Sequence, residues 1–314
     1  MAKQCSKSGG ATRLESSTVR REYEDYLTRE RGLSVETQAR YWWAVNRFLA
    51  GFLRGTAFDL GALGGKQISR YVVREANKTR GRTIQVTTAA LRSFLRFLFL
   101  RGWTSADLGC SVPTVRDRRA TTLPRYLPAD QVERLLGSCD RRTQIGRRDH
   151  AILLLLARLG LRGPEIVALM LDDLDWRAGE IVVRGKGHII DRLPLPQEVG
   201  QAIAMYLRRD RRAETRRLFV PIRNPGAGFK DGQAINEVVH RALRRTGLRM
   251  PTKWVGAHVL RHSLATTMLR RGASLAEIGQ VLRHRSTNTT LIYAKVDIDG
   301  LRSIARAWPV EVRP

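Results

Sequence analysis

Near the end of the chain, His258-Val259-Leu260-Arg261 sets an imidazole and a guanidinium three residues apart, so a helix there turns both to one side. A guanidinium fork matches two non-bridging phosphate oxygens, and an imidazole beside it can take or give a proton, which suits a phosphodiester. Alone, the spacing is weak, because a surface His and Arg on a basic helix read the same way. His262 adds an HxxxH spacing, but Val259 stands where a zinc protease needs Glu, so zinc is set aside. The signal sharpens at Leu282-Arg283-His284-Arg285-Ser286-Thr287-Asn288-Thr289-Thr290-Leu291-Ile292-Tyr293. Earlier in the chain, Gly160-Leu161-Arg162-Gly163-Pro164-Glu165 puts an arginine at the start of a helix. Gly185-Lys186-Gly187 falls between two strand-like runs and presents Lys186 at a hairpin tip. Read singly, Arg162 is a helix-end surface residue and Lys186 a hairpin solubiliser. Asp172, Asp173 and Asp175 are better explained by a polar turn than by a metal cluster. The six arginines between Arg208 and Arg217 fit either phosphate contacts or a solvated helix end.

The elements that must position these groups are mostly helical. In the first hundred residues helical periodicity predicts helices near 17–30, 34–52, 68–76 and 83–100, with little that resembles a strand. Ser34 is placed to cap the second, whose Tyr41, Val45, Phe48, Leu49 and Phe52 make one apolar face. Between Cys110 and Pro128 the pattern gives way to prolines and arginines, an extended basic linker. Beyond it, helices are expected near 129–137 and 147–159, strands at 180–184 and 189–195, then helices near 197–210, 232–246, 258–271, 274–282, 287–293 and 298–307. Ser274 and Glu277 have the spacing of a capping box.

A chain of 314 residues has room for about two domains. Its 56 Lys and Arg against 29 Asp and Glu leave a formal charge of +27, which favours a polyanionic partner, nucleic acid first. No apolar stretch approaches the roughly 18 residues of a membrane-spanning helix, and Met1 to Gly10 carries no apolar segment of a secretory signal. Cysteines 5, 110 and 139 fit neither a disulfide framework nor a zinc knuckle, so a reducing cytoplasm is expected. There is no GxxxxGK[ST] phosphate loop.

Taken together, HVLRH from His258, the run ending at Tyr293, the Arg162 box and the Lys186 hairpin resemble the tyrosine recombinases, the integrases of phages and mobile elements and the Xer-type resolvases. All four motifs occur in the family's order. The resemblance implies a mainly α fold: a helical-bundle, SAM-like core-binding domain and a mixed α/β, mostly α, catalytic domain with a small β-hairpin sheet. It places a tail at 1–15, the DNA-binding domain at 16–109, the linker at 110–127, the catalytic domain at 128–308 and a tail at 309–314. It further implies that Tyr293 attacks phosphorus and leaves a 3′-phosphotyrosyl link, while Arg162, Arg261 and His284 hold the phosphorane. Lys186 would protonate the leaving 5′-oxygen, His258 assist proton transfer at the nucleophile, and Glu165 brace the site. Neither ATP nor a metal is needed. The partners implied are double-stranded DNA and further copies of the chain, two per site and four in a synapse exchanging strands through a Holliday junction, with or without sibling recombinases. Residues 297–308 would pack on a neighbouring copy or on their own domain. Arg40, Arg47, Arg92 and Arg96 are candidate DNA contacts in the first domain. Two departures stand out: Gly163-Pro164 where a bulkier residue and Ser are frequent, and Arg283 where Gly is usual. Two other readings share these residues or this charge, a topoisomerase-like relaxation and a DNA-binding regulator without catalysis.

Overall fold

The computed structural model describes residues 13–60, 63–79, 81–115, 124–185, 189–248 and 256–294. The chain divides into two compact units, residues 1–122 and 123–314. The basic stretch at 116–123, Lys186 and residues 297–308 lie outside the described residues.

The first unit is built on α1 (Ser16–Arg29), α2 (Val35–Leu49), α3 (Gly65–Lys78) and α4 (Arg82–Leu100). Its core is aromatic. Tyr23 and Tyr26 of α1 pack on Phe94 and Phe97 of α4, and Phe48 of α2 meets Tyr71 of α3 edge-on at 5.0 Å. Ser34 occupies the cap position of α2, but its hydroxyl pairs with the Thr37 hydroxyl at 3.1 Å rather than with a helix amide. A short antiparallel sheet departs from the all-helical expectation: β1 (Arg13–Glu15), β2 (Leu53–Arg54) and β3 (Ala57–Asp59), in the order β1-β3-β2. Strands of two or three residues are too short to show alternation in sequence; the β2–β3 return is made by Gly55 at φ 62°.

The second unit surrounds α6 (Gln144–Arg158), in which every residue from Ala151 to Ala157 is buried. A helix apolar on all sides needs partners on all sides. They are α5 (Ala129–Gly137), α7 (Gly163–Ala168), α8 (Gln197–Arg209), α9 (Gly232–Thr246) and α10 (His258–Arg270). The sheet has three strands rather than the expected two: β4 (Leu174–Asp175), β5 (Glu180–Arg184) and β6 (Ile190–Pro194), antiparallel in that order. The chain finishes, within the described residues, with α11 (Leu275–Val281) and α12 (Thr287–Ala294). Ser274 and Glu277 cap α11 reciprocally, the Ser274 amide donating to the carboxylate at 2.7 Å and the Glu277 amide to the hydroxyl at 3.2 Å.

The aspartate turn serves structure. Asp173, 2% exposed, accepts from the Met170 amide at 2.8 Å and pairs with Arg184, whereas Asp172 pairs with Arg216. In the arginine run, Arg211 donates to the carbonyls of Ala213, Thr215 and Arg217, and Arg217 to that of Ala168 at 3.0 Å. Arg211, Arg216 and Arg217 thus fasten this loop, whereas Arg208 and Arg209 are exposed at the end of α8 and Arg212 is exposed just beyond it.

Candidate active site

Each group reaches the site from a different element end. At the C-terminus of α6 the backbone turns left-handed at Gly160 (φ 58°), and its carbonyl accepts from the Arg261 Nη1. A Cβ at Gly160 would stand 2.7 Å from Leu282 Cδ2, so glycine is required by both conformation and space. Two residues on, Arg162 is the extended cap residue of α7. Glu165 folds back on it, accepting from the Arg162 amide at 2.8 Å and from its Nη1 at 2.6 Å. Gly163 and Pro164 fit against Gly232 at the start of α9, where a Cβ on Gly163 would come within 3.4 Å of the Gly232 carbonyl.

The α10 helix is pinned at its start by Asn236 of α9, whose side-chain oxygen accepts from the Ala257 amide at 2.9 Å. Arg261 faces inward, 3% exposed, with Nη2 on the Leu282 carbonyl as well as Nη1 on Gly160. His258, one turn earlier, is exposed and lies beside His262 one turn on. Their ring centres are 6.4 Å apart. Burial, helped by the Arg162 charge, pulls the Arg261 guanidinium down to about 10, still protonated at neutral pH.

His284 follows α11, its amide bonded to the Gly279 carbonyl at 2.8 Å. Its Nδ1 lies 2.7 Å from the buried Thr290 hydroxyl of α12, which fixes the ring. Arg283 takes φ 53°, a left-handed conformation that glycine adopts without cost. Its guanidinium turns inward, 7% exposed, with Nη2 2.9 Å from Glu165 and Nε 3.6 Å from Asp191 of β6. Glu165 therefore lies between Arg162 and Arg283. Burial opposes its charge, but the Arg162 amide and the two guanidinium groups outweigh that and hold its carboxyl below the usual range.

Tyr293, on α12, is 1% exposed. Its ring lies parallel to that of His284 at 6.3 Å and edge-on to that of His262 at 5.6 Å. The phenol oxygen is 2.9 Å from His262 Nδ1. Burial pushes the phenol up to about 12 against the pull of Arg261 and Arg162. Burial, then the neighbouring positive charges, lowers His262 and His284 to about 4 each, so both imidazoles are neutral at pH 7.

The structure thus gathers Arg162, Glu165, Arg261, His284 and Tyr293, chosen from sequence, with His258 at the rim. Lys186 lies outside the described residues; the strands that flank it are joined by the Gly185 amide on the Ile189 carbonyl at 2.7 Å. Sequence reasoning passed over His262, using its spacing from His258 only to test for zinc. The i+4 relation was the available signal, since it puts both rings on one stripe of α10. Among the described residues no three His, Cys, Asp or Glu side chains converge as metal ligands would. Three guanidinium groups around one buried carboxylate make a site suited to a phosphate anion and to the extra negative charge of a five-coordinate phosphorus.

In the first unit the four candidate DNA contacts differ. Arg92 donates to the carbonyls of Val112 at 2.9 Å and Pro113 at 3.2 Å, and Arg47 pairs with Glu75 at 3.2 Å while lying over the Trp43 ring. Arg96 is exposed, 3.8 Å from Asp107. Arg40, exposed, lines a groove with Trp43, Thr83 and Val86.

Residues 125–299 match the Phage integrase family, and residues 21–102 its N-terminal SAM-like domain. A putative integrase/recombinase of Sinorhizobium fredii is 46% identical over 292 residues, covering 93% of this chain and 71% of the relative. The tyrosine recombinase XerD of Listeria innocua is 32% identical over 290 residues, covering 90% of this chain and 95% of the relative. The fold is shared with the XerH recombinase in a post-cleavage complex with a palindromic difH substrate (TM-score 0.71, 20% identity, 90% of this chain, 83% of the other). It is also shared with a lambda integrase dimer on a COC′ core site (TM-score 0.67, 15% identity, 96% of this chain, 81% of the other). The chain belongs to the phage integrase family of tyrosine recombinases, enzymes that break and join DNA. Among the described residues no helix is long and apolar enough to cross a membrane.

Proposed function

We propose that the protein is a site-specific recombinase that integrates or excises a mobile element, cutting DNA through a 3′-phosphotyrosyl bond at Tyr293. The observation that carries this reading is the enclosure of the Tyr293 hydroxyl among Arg162, Arg261, His262 and His284, with charges that favour an anion beside it.

In this reading the scissile phosphodiester enters with its non-bridging oxygens toward Arg162 and Arg261. Their two guanidinium groups stabilise the added charge of the phosphorane more than that of the ground state, and this difference lowers the barrier. Each such donor is worth on the order of 100- to 1,000-fold in rate. His284, neutral and fixed by Thr290, donates a hydrogen bond from Nε2 to the same oxygens. Glu165 keeps Arg162 in place, Lys186 gives its proton to the departing 5′-oxygen, and His258 assists proton transfer from the rim. The tyrosyl ester conserves the phosphodiester energy, so attack by a 5′-hydroxyl rejoins a strand without ATP. The domains assigned from sequence serve this cycle in the cytoplasm, the first meeting DNA through Arg40, Arg47 and Arg96, while Arg92 holds the segment that follows α4. Two copies occupy each site, and four make the synapse that passes through a Holliday junction, alone or with sibling recombinases.

The test is covalent trapping. The protein and its Tyr293→Phe variant are incubated with nicked duplexes drawn from DNA flanking the gene. A denaturation-resistant adduct, mapped to Tyr293 and absent from the variant, is expected. No adduct on a duplex shown separately to bind specifically would leave a DNA-binding protein with idle catalytic residues, and relaxed circles without recombinants would mark a topoisomerase-like activity.

A further inference from the structure

We propose that His262 is the direct proton partner of the nucleophile: its Nδ1 holds the Tyr293 hydroxyl in the resting site and takes the proton as the phenol oxygen bonds to phosphorus. The proposal rests on the recombinase reading above and adds to it a residue that the sequence motifs did not supply.

The geometry begins with a buried donor. The hydroxyl of a tyrosine that is 1% exposed needs an acceptor, because an unmet buried donor is costly. Among the described residues, the atom at hydrogen-bond distance is His262 Nδ1, at 2.9 Å. Nδ1 must then be unprotonated and Nε2 carry the hydrogen, the tautomer in which Nδ1 accepts. His262 and Tyr293 reach this contact from α10 and α12, with the ring edge-on to the phenol at 5.6 Å. His258 stands on the exposed side of His262, and His284 meets the face of the Tyr293 ring, bonded to Thr290 through Nδ1. His262 is therefore the imidazole whose ring nitrogen lies within hydrogen-bond distance of the phenol oxygen.

The charged and titratable groups around it decide when the proton moves. His258 and Arg261 from α10, His284 from the turn before α12, and Tyr293 itself surround His262. Burial first, then His258 and Arg261, disfavours an imidazolium at His262, so without DNA the proton stays on the phenol and the tyrosine rests inert. A phosphodiester brings a negative charge into the same space and offsets that repulsion. In the cleavage step the Tyr293 O–H bond breaks and its proton passes to Nδ1. The bond from the phenol oxygen to phosphorus forms, the bond from phosphorus to the 5′-oxygen breaks, and Lys186 supplies the proton to that oxygen. In rejoining, the 5′-hydroxyl gives its proton back to the Lys186 amine as its oxygen bonds to phosphorus, the bond from phosphorus to the phenol oxygen breaks, and the imidazolium returns its proton to the departing phenolate.

The test compares single-turnover adduct formation on a nicked duplex for the native protein, His262→Phe and His262→Asn, from pH 5 to pH 9.5. His262→Phe keeps a ring and removes the acceptor; His262→Asn offers an oxygen that can hold the hydroxyl but takes no proton. Native cleavage is expected to fall on acidification, as His262 protonates, and to level off above neutrality. His262→Phe is expected to be slower by about 100-fold or more at pH 7 and to rise steadily with pH as hydroxide takes over the proton. His262→Asn is expected to recover part of the rate with the same rising profile. A native rate and native pH profile in either folded variant overturns the proposal; if His262→Phe unfolds, His262→Asn decides it. A native protein that forms no adduct removes the recombinase reading instead, a distinct outcome. Nitrogen-detected NMR of the His262 ring supplies a readout without DNA: the Nε2–H tautomer is expected in the native protein, with Nδ1 shifted in Tyr293→Phe, and an Nδ1–H tautomer contradicts the assignment.

Discussion

His262 and His284 work as neutral side chains beside Tyr293 in the resting protein, and burial, which keeps them so, carries a measurable cost. His262 and His284 are lowered from 6.5 to about 4, and His150, also lowered by burial and the Arg141 charge, adds to them. Between these values the unfolded chain binds protons that the folded chain refuses, so stability rises with pH through that window and falls on acidification. The melting temperature is expected to drop as pH is lowered from about 6.5 toward 5, above the range where Glu165 and other lowered carboxylates take up protons. Calorimetry at low salt checks this, and His262→Asn should flatten part of the slope. A melting temperature constant over that interval would mean that the imidazoles are charged or exposed.

Between elements, the site depends on the turn that ends α6. Gly160 directs its carbonyl to Arg261, and Arg261 bonds in turn to Leu282, so one left-handed residue links α6, α10 and the turn before His284. Gly160→Ala is expected to destabilise the protein by about 2–4 kcal/mol, the sum of a left-handed alanine and a Cβ pressed on Leu282 and Leu264. Denaturant unfolding measures the first effect. Adduct formation, which should fall further than the fraction unfolded, measures the displacement of Arg261. A second link runs through Arg283, which joins the His284 turn to α7 through Glu165 and approaches β6 through Asp191. The strain of its φ 53° is offset by an ion pair that glycine at this position could not make.

Across the whole molecule, 56 basic residues against 29 acidic ones predict DNA affinity that declines steeply with salt, by about 0.9 in log affinity per log unit of salt for each phosphate neutralised. The basic residues are not equivalent. Arg40 is exposed beside a groove, whereas Arg92 is engaged with the carbonyls that follow α4. Arg40→Ala is expected to reduce the salt slope by about 1 with the melting temperature unchanged. Arg92→Ala is expected to lower the melting temperature and leave the slope nearly intact. Fluorescence anisotropy over a salt series, with thermal unfolding of each variant, separates the two; equal slope changes would make Arg92 a phosphate contact despite its internal bonds.

What could be read in the amino-acid sequence alone was what repeats or what is local. Helical periodicity located most helices, Ser274 and Glu277 announced the α11 cap, and the order of the Arg162, Lys186, His258–Arg261 and Tyr293 motifs pointed to the family. Strands of two or three residues, such as β2 and β4, escaped because alternation needs a longer run. The tertiary structure alone decided what each side chain touches. Tyr293 meets His262 across 31 residues, Arg283 meets Glu165 across 118, and Arg261 spends donors on carbonyls 101 and 21 residues away. No local spacing encodes such pairs. They are set by how α6, α7, α10 and α12 pack, and that same packing buries the phenol and the imidazoles, raising the one and lowering the others.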